Sequence, residues 1–487
     1  MSQFQIKDIS IHILPMETRF PFKYGIASMT HLPHLFVSAT IEVGATKTTG
    51  LASEGFPPKW FTKNPDTTFE EDLKSEINVI KSAVNVALQL GNNQSFFRFW
   101  IEFYQQFKKS WSKHNVPSLL ANFALSLVER AALDAYLKAK KTTLHRAIYT
   151  NLLGIQFEEI HPELSKVSIE DFIKPSPISR CHIRHTVGLG DPLEDKDVKD
   201  SSRPDDELPF TLIENIRKYQ LTYFKLKLSG NSNVDVPRLE RIALLFNKEI
   251  GEGFRITLDG NEQFQDFNAF RSCWDLLLQN SRIEKMLLQN LILVEQPIHR
   301  SNALSPDTKN QLADWEKSPG VIIDEADGDL SDLPTALDLG YSGTSHKNCK
   351  GIIKGLINAA YLQYWNSHNS KAVILSGEDL ANVGPIALLQ DLAMMNTLGI
   401  NHVERNGHHY FNGLNMIPND LQKSVQSCHS DMYENQKSGI PSLRISNGMI
   451  ETQSLNLAPF GSSVDIDPTQ FQPLDEWINS TLTNLKN

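Results

Sequence analysis

Five short polar pieces stand in order along the middle of this 487-residue chain: Lys225-Leu226-Lys227, Asp259-Gly260-Asn261, Glu295-Gln296-Pro297, Asp324-Glu325 and Lys347. Each follows an apolar run, least clearly at Lys347. The steps from 227 to 259, 259 to 295, 295 to 324 and 324 to 347 are 32, 36, 29 and 23 residues, about one strand plus one helix each. In a (β/α)8 barrel the C-terminal ends of all strands surround one pocket, so residues distant in sequence converge at its mouth. The spacing therefore predicts a barrel site where three carboxylates and three lysines meet.

The local pattern supports strands. In Phe224 to Leu228 a period of two puts Lys225 and Lys227 on one face and the apolar residues on the other. Residues 254 to 259 repeat this with Thr257 and Asp259. Ile292 to Glu295 and Val321 to Asp324 are apolar runs that end in an acid, as parallel strands covered on both faces do. Gly343-Thr344-Ser345-His346, before Lys347, is a poor strand by propensity.

Asp259, Glu295 and Asp324 supply hard oxygen donors suited to Mg2+, with Mn2+ as the alternative, and no Cys or His group with zinc spacing competes. A divalent cation on a substrate carboxylate stabilises the charge that develops when an α proton leaves. Lysines can remove that proton if their pKa is lowered, and Lys225 beside Lys227 is expected to lower it.

With these pieces in view, the chain resembles the enolase superfamily, of the mandelate racemase and muconate lactonizing enzyme type and closest to the muconate lactonizing enzyme subgroup. The resemblance rests on Lys225-x-Lys227, Asp259-x-Asn261, Glu295-Gln296-Pro297, Asp324-Glu325 and Lys347-Asn-Cys-Lys350-Gly351. It implies Mg2+ on Asp259, Glu295 and Asp324, and Lys227 and Lys347 as acid/base groups flanking the substrate with Lys225 assisting. Mandelate racemase itself would use a His-Asp pair where this chain has Lys347 and Gly377-Glu378-Asp379.

The expected architecture is α/β: a modified (β/α)8 TIM-like barrel with an α+β capping domain formed by the N-terminal part and the C-terminal tail. Residues 1–155 alternate like strands and then turn helical, notably from Leu119 to Leu137, and form the cap; residues 175–425 form the barrel, with Cys181 to Gly188 as its first strand. Residues 426–487 return to the cap and include a hairpin around Asn447-Gly448. Residues 156 to 180 and the acidic stretch 191 to 207 read as loops or insertions.

In the family the loops of the cap set substrate choice. Here Phe20 to Gly25 and Glu54 to Lys63 combine aromatics with lysines, which marks Lys23, Lys59 and Trp60 as substrate contacts. Asn261, and Glu378 and Asp379 after the seventh strand, are further candidates. His408 and His409 follow the eighth strand; adjacent residues rarely aim at one ion, and these read as exposed loop histidines.

The formal charge of −10 with no basic stretch argues against a nucleic-acid partner. Cys181, Cys273, Cys349 and Cys428 lack paired spacing and read as reduced thiols of a cytoplasmic protein. Neither a signal peptide nor a membrane span is indicated. A homo-oligomer is expected, with a small carboxylic acid as substrate.

The expected activity is isomerase or lyase chemistry: Mg2+-dependent removal of the proton α to a carboxylate through an enolate whose charge the metal stabilises. Racemisation or epimerisation, cycloisomerisation and β-elimination all remain open. Two other classes stand beside it, a Schiff-base lysine barrel of the aldolase type and a non-catalytic barrel that only binds.

Overall fold

A computed structural model describes residues 4–198, 203–315 and 317–482. Residues 199–202 of the acidic stretch, together with 1–3, 316 and 483–487, lie outside the described residues.

The chain opens with five strands, β1 (Phe4–Leu14), β2 (Glu17–Tyr24), β3 (Ala27–His31), β4 (His34–Val43) and β5 (Thr46–Gly55). β1, β4 and β5 form an antiparallel sheet, and β2 and β3 a separate hairpin. Three helices cover the sheet, α1 (Phe69–Gln89), α2 (Phe96–Trp111) and α3 (Ser118–Lys140). α3 is buried on every side from Leu119 to Leu137, as an Ala- and Leu-rich helix without Gly or Pro permits. It lies directly on β5 at Gly50, where a Cβ would stand 2.1 Å from the Ala135 nitrogen, so only glycine allows the approach.

Eight parallel strands follow: β6 (Arg180–Val187), β7 (Tyr223–Lys227), β8 (Arg255–Asp259), β9 (Leu291–Glu295), β10 (Val321–Ile322), β11 (Gly343–His346), β12 (Ile374–Gly377) and β13 (His402–Arg405). They pair in the order β10-β9-β8-β7-β6-β13-β12-β11, and a parallel bridge between Ile323 and Thr344 joins the two ends into a barrel. A helix follows each strand, so the expected capped (β/α)8 architecture is the observed one.

β11 forms despite its poor propensity because its neighbours impose it. Gly343 has φ +140°, and a Cβ there would lie 1.9 Å from the Ile374 carbonyl oxygen of β12. Glycine is what lets these strands close up, and the backbone then carries Lys347 to the mouth. Register does the rest of the alignment: Lys227 pairs with Asp259, and Asp259 with Glu295.

The last strands are β14 (Tyr433–Asn435), β15 (Pro441–Leu443), β16 (Met449–Glu451) and β17 (Gln472–Pro473). The tight turn at Asn447-Gly448 forms, with φ +51° and +68° and paired backbone bonds of 3.0 Å between Ser446 and Met449. Its arms separate beyond that, because β15 pairs with β14 while β16 adds antiparallel to β6 of the barrel. β17 pairs with β1, and Phe471 stacks on Phe36 with ring centres 4.3 Å apart. Among the described residues no helix is long and apolar enough to cross a membrane.

Candidate active site

All five polar pieces meet at the C-terminal mouth of the barrel. Lys225 points inward from β7, and its Nζ stands 2.9 Å from Asp259, 2.6 Å from Glu295, 2.9 Å from Glu378 and 2.9 Å from Glu404. Lys227 Nζ donates to Asp259 Oδ2 at 2.6 Å. Across the mouth Lys347 Nζ donates to Asp324 Oδ2 at 2.6 Å. Lys350 lies 2.9 Å from the other Asp324 oxygen, and Ser345 donates to that oxygen as well.

Each motif has a local reason. The Asn261 backbone N–H donates to Asp259 Oδ1 at 2.7 Å, and its side-chain amide donates to Glu325 at 3.1 Å. The Gln296 amide oxygen accepts from the Asp324 and Ala326 backbone N–H groups at 2.7 and 3.1 Å, tying the fourth strand end to the fifth. The carboxylate triad is therefore fixed through backbone and amide contacts on its outer side.

The electrostatics differ from the expectation that neighbouring ammoniums lower the lysines. Burial acts to lower Lys225, but Asp259, Glu295, Glu378 and Glu404 outweigh it and hold it well above the ordinary lysine value. Lys347 is likewise raised, burial being outweighed by Asp324 and Glu295. Glu295 is pushed well above the usual carboxylate range by burial and by Asp259 and Glu378. Asp324 is held well below it, because Lys347, Lys350 and Lys225 overcome the cost of burial.

Three hard carboxylates on adjacent strand ends suit a divalent cation in donor chemistry, and Glu295 Oε1 has no partner. As the side chains stand, lysine ammoniums lie between the carboxylates, and among the described residues no three Asp, Glu, His or Cys side chains are arranged to enclose an ion. The donor set fits such a cation in its oxygen chemistry, while its present geometry is that of ion pairs with Lys225, Lys227 and Lys347.

A narrow cleft enclosing about 30 Å³ and open to solvent lies above this cluster. Lys225, Lys227, Lys347, Asn261, Glu404 and Asn406 line its barrel side; Phe22, Tyr24, Met29, Pro57 and Trp60 line the cap side. Lys347 Nζ sits 4.5 Å from the centre of the Trp60 ring, a cation–π distance. Arg300 fastens the Trp60 loop to the barrel. Its guanidinium pairs with Glu262 at 2.7 and 2.8 Å and donates to the Trp60 and Phe61 carbonyls at 2.8 and 2.9 Å.

Of the cap residues singled out from sequence, only Trp60 reaches the cleft. Strand alternation turns Phe22 and Tyr24 inward and Lys23 outward, where it is exposed beside Gly190. Lys59 turns away to Asp72 at 2.8 Å and to the Thr67 hydroxyl at 2.8 Å. Glu378 lies below the cleft, paired with Arg184 and Lys225. Asp379 lines the cleft, but its carboxylate is engaged by Arg405 and by the backbone N–H groups of Leu380, Asn382 and Asn406.

His408 and His409 are buried rather than exposed, since the β2–β3 hairpin packs over them: Phe20 lies 4.9 Å from His409, ring to ring. His408 Nε2 is 2.9 Å from His185 Nδ1. Sequence reading gave no role to Glu404, Arg184, Lys350 or Asn406. Glu404 stands one residue before the end of the eighth strand, close to the position Glu295 holds at the end of the fourth, and that position was the available signal.

No protein-family model and no curated protein matches the sequence. Solved structures do match it. A mandelate racemase/muconate lactonizing protein from Herpetosiphon aurantiacus superposes with a TM-score of 0.59 at 15% identity, covering 95% of this chain and 99% of that one. For 2-chloromuconate cycloisomerase from Rhodococcus opacus the values are 0.58, 14%, 98% and 99%. For dipeptide epimerase from Enterococcus faecalis, complexed with Mg and the dipeptide L-Leu-L-Tyr, they are 0.56, 12%, 92% and 99%. The chain therefore has the fold of the mandelate racemase and muconate lactonizing enzymes of the enolase superfamily.

Proposed function

We propose that this chain is an enzyme that removes the proton α to the carboxylate of a small organic acid, with Lys227 and Lys347 as its acid/base groups. The observation that carries the reading is the placement of these two lysines. They line one cleft from the second and sixth barrel strands, with three carboxylates at the strand ends between them. An acid lying across the mouth presents one face of its α carbon to each lysine.

Asp259, Glu295 and Asp324 would hold Mg2+, which supplies stabilisation of the negative charge developing on the substrate carboxylate. Lys347 pairs with Asp324, and it becomes a competent base only when that carboxylate is otherwise engaged, because the pairing favours the ammonium. Lys225 sits among four acids and acts as a fixed positive charge at the floor of the cleft. Trp60 and the β2–β3 hairpin cover the mouth and limit the entry of water to the reacting carbon.

Return of the proton to the opposite face gives racemisation or epimerisation. Its delivery to another carbon gives cycloisomerisation, and loss of a β substituent gives elimination. The protein named above in complex with Mg and a dipeptide is an epimerase of the same fold, which supports the isomerase end of this range. The test is a screen of carboxylic acids in D2O with Mg2+, read as deuterium gain by mass spectrometry. Wash-in with at least one acid, abolished by excess EDTA and restored by Mg2+, is expected. Absence of wash-in across the screen, or full exchange in EDTA, would overturn the proposal.

A further inference from the structure

We infer that the acidic segment after β6 is a bracket for the roof of the cleft. Its Asp206 and Asp191 hold the β2–β3 hairpin in place through Arg19 and Tyr410, which makes these four positioning residues for the acid bound beneath. The effect on turnover rests on the reaction proposed above; the bracket itself does not.

The hairpin needs an anchor. β2 and β3 pair only with each other, and a two-stranded hairpin is marginal by itself in water. Yet it supplies Phe22, Tyr24 and Met29 to the cleft, so the shape of the mouth depends on what the hairpin is fastened to.

Arg19 in β2 makes the first fastening, and its guanidinium uses all five donors. Nε and Nη2 donate to Asp206 at 2.5 and 2.6 Å. The remaining N–H groups reach the His409 carbonyl at 2.6 Å and the Leu208 and Pro209 carbonyls at 3.2 Å. The ion pair is nearly dry, with 3% and 9% of the two side chains exposed. A fork of this kind fixes direction as well as distance.

Tyr410 makes the second. Its ring stacks on Phe22 with centres 4.1 Å apart, and its hydroxyl donates to Asp191 at 2.6 Å. A third contact joins the backbones: the Leu189 N–H donates to the Lys23 carbonyl at 3.1 Å, between two residues that line the cleft. The segment is in turn tied to the barrel. Arg238 donates to the Gly188 and Asp191 carbonyls at 2.7 and 3.0 Å, and Arg241 pairs with Asp197 at 2.7 Å. The contacts thus run from barrel to acidic segment to hairpin, and they reach the hairpin within three residues of Phe22.

The test is amide hydrogen exchange of the full-length protein over residues 17–31, together with kcat and KM for the most active acid of the D2O screen. In Arg19→Met the hairpin amides should exchange about a hundredfold faster, the scale of a buried ion pair that loses one partner, while α3 keeps its rates. KM should rise about tenfold with kcat nearly unchanged, because the acid then binds only the fraction of molecules whose roof is docked. Asp206→Asn, which keeps the shape, should give the same pattern in weaker form, and the double variant should add little to Arg19→Met. Arg98→Met, which removes the Arg98–Glu159 pair elsewhere in the cap, should leave the hairpin unchanged. Unchanged hairpin exchange in Arg19→Met, an equal acceleration in Arg98→Met, or fully additive losses in the double variant would overturn the bracket. A loosened hairpin with an unaltered KM would overturn its part in holding the acid. If no acid exchanges, the proposed reaction falls, and hairpin exchange alone still decides the bracket.

Discussion

Replacing Arg300 with Met should release the Trp60 loop from the barrel without unfolding either. The Arg300 side chain donates four hydrogen bonds, two to the buried Glu262 carboxylate and one each to the Trp60 and Phe61 carbonyls. Methionine keeps much of the apolar stem and removes every side-chain donor, while the backbone N–H of residue 300 stays on Glu262 at 2.8 Å. Each orphaned carbonyl costs about 1 kcal/mol. Glu262 keeps Lys63 at 3.1 Å as a second cation, so its loss is smaller than the 3–5 kcal/mol of an unpartnered buried charge, roughly 1–2 kcal/mol. The two carbonyls, about 2 kcal/mol together, act on the docked loop and correspond to about thirtyfold easier local opening, while the Glu262 loss falls on the barrel, where both partners of that pair stand. Amide hydrogen exchange over residues 56–63 should accelerate by up to that factor, while α3 amides, buried from Leu119 to Leu137, keep their rates. The pH dependence has a defined sign. Burial acts to raise Glu262, but Arg300 and Lys63 hold it below its ordinary value. Its contribution is therefore present above the unfolded carboxylate pKa and is lost as pH falls through the lower folded one, and this acid-side loss should shrink in Arg300→Met. Equal acceleration throughout the cap, or none in the loop, would refute the clamp.

Further outcomes follow from the same geometry. Glu295→Gln should keep the fold by circular dichroism and lose activity by more than the ~10–100-fold typical of changes around a metal's ligands; near wild-type turnover would remove Glu295 from the ligand set. Trp60→Ala should change the order of preference among acids while leaving the Mg2+ dependence of activity unaltered; a uniform loss on every acid with a lowered Tm would make Trp60 a packing residue only. Gly343→Ala should destabilise by about 3 kcal/mol or more, because its Cβ would lie 1.9 Å from the Ile374 carbonyl oxygen, and an unchanged Tm would contradict the close approach of β11 and β12.

The barrel and the converging pieces were legible because both depend on local pattern. A parallel strand buried on both faces is a short apolar run, its inward residues alternate, and the acid or lysine at its end is one residue from the run. What eluded the sequence depends on partners far away. β11 is a strand because Ile323 and β12 hold Gly343 to Ser345 between them, not because Thr and Ser there favour it. His408 and His409 are interior because the hairpin carrying Phe20 folds over them from the start of the chain. Lys23 and Lys59 sit in the right loops, but a side chain's direction in a loop follows from its packing, and theirs leads to the surface and to Asp72. The Asn447-Gly448 turn was readable from two residues, whereas the separate partners of its arms, β14 and the barrel strand β6, were not. The crowding of four carboxylates around Lys225 was half visible: the motif gave the lysine, but Glu378 and Glu404 became its neighbours only when the barrel closed.

The central claim is that Lys227 and Lys347 each serve one face of a bound acid. The most direct measurement is α-proton exchange of each stereoisomer of an active substrate, in D2O with Mg2+, for Lys227→Ala and Lys347→Ala separately. For a proton transfer between the two faces of one carbon, each variant should lose exchange of one stereoisomer and retain that of the other, in opposite senses. For cycloisomerisation or elimination, one of the two substitutions should be far more damaging than the other. Wild-type exchange rates in both variants would contradict the account.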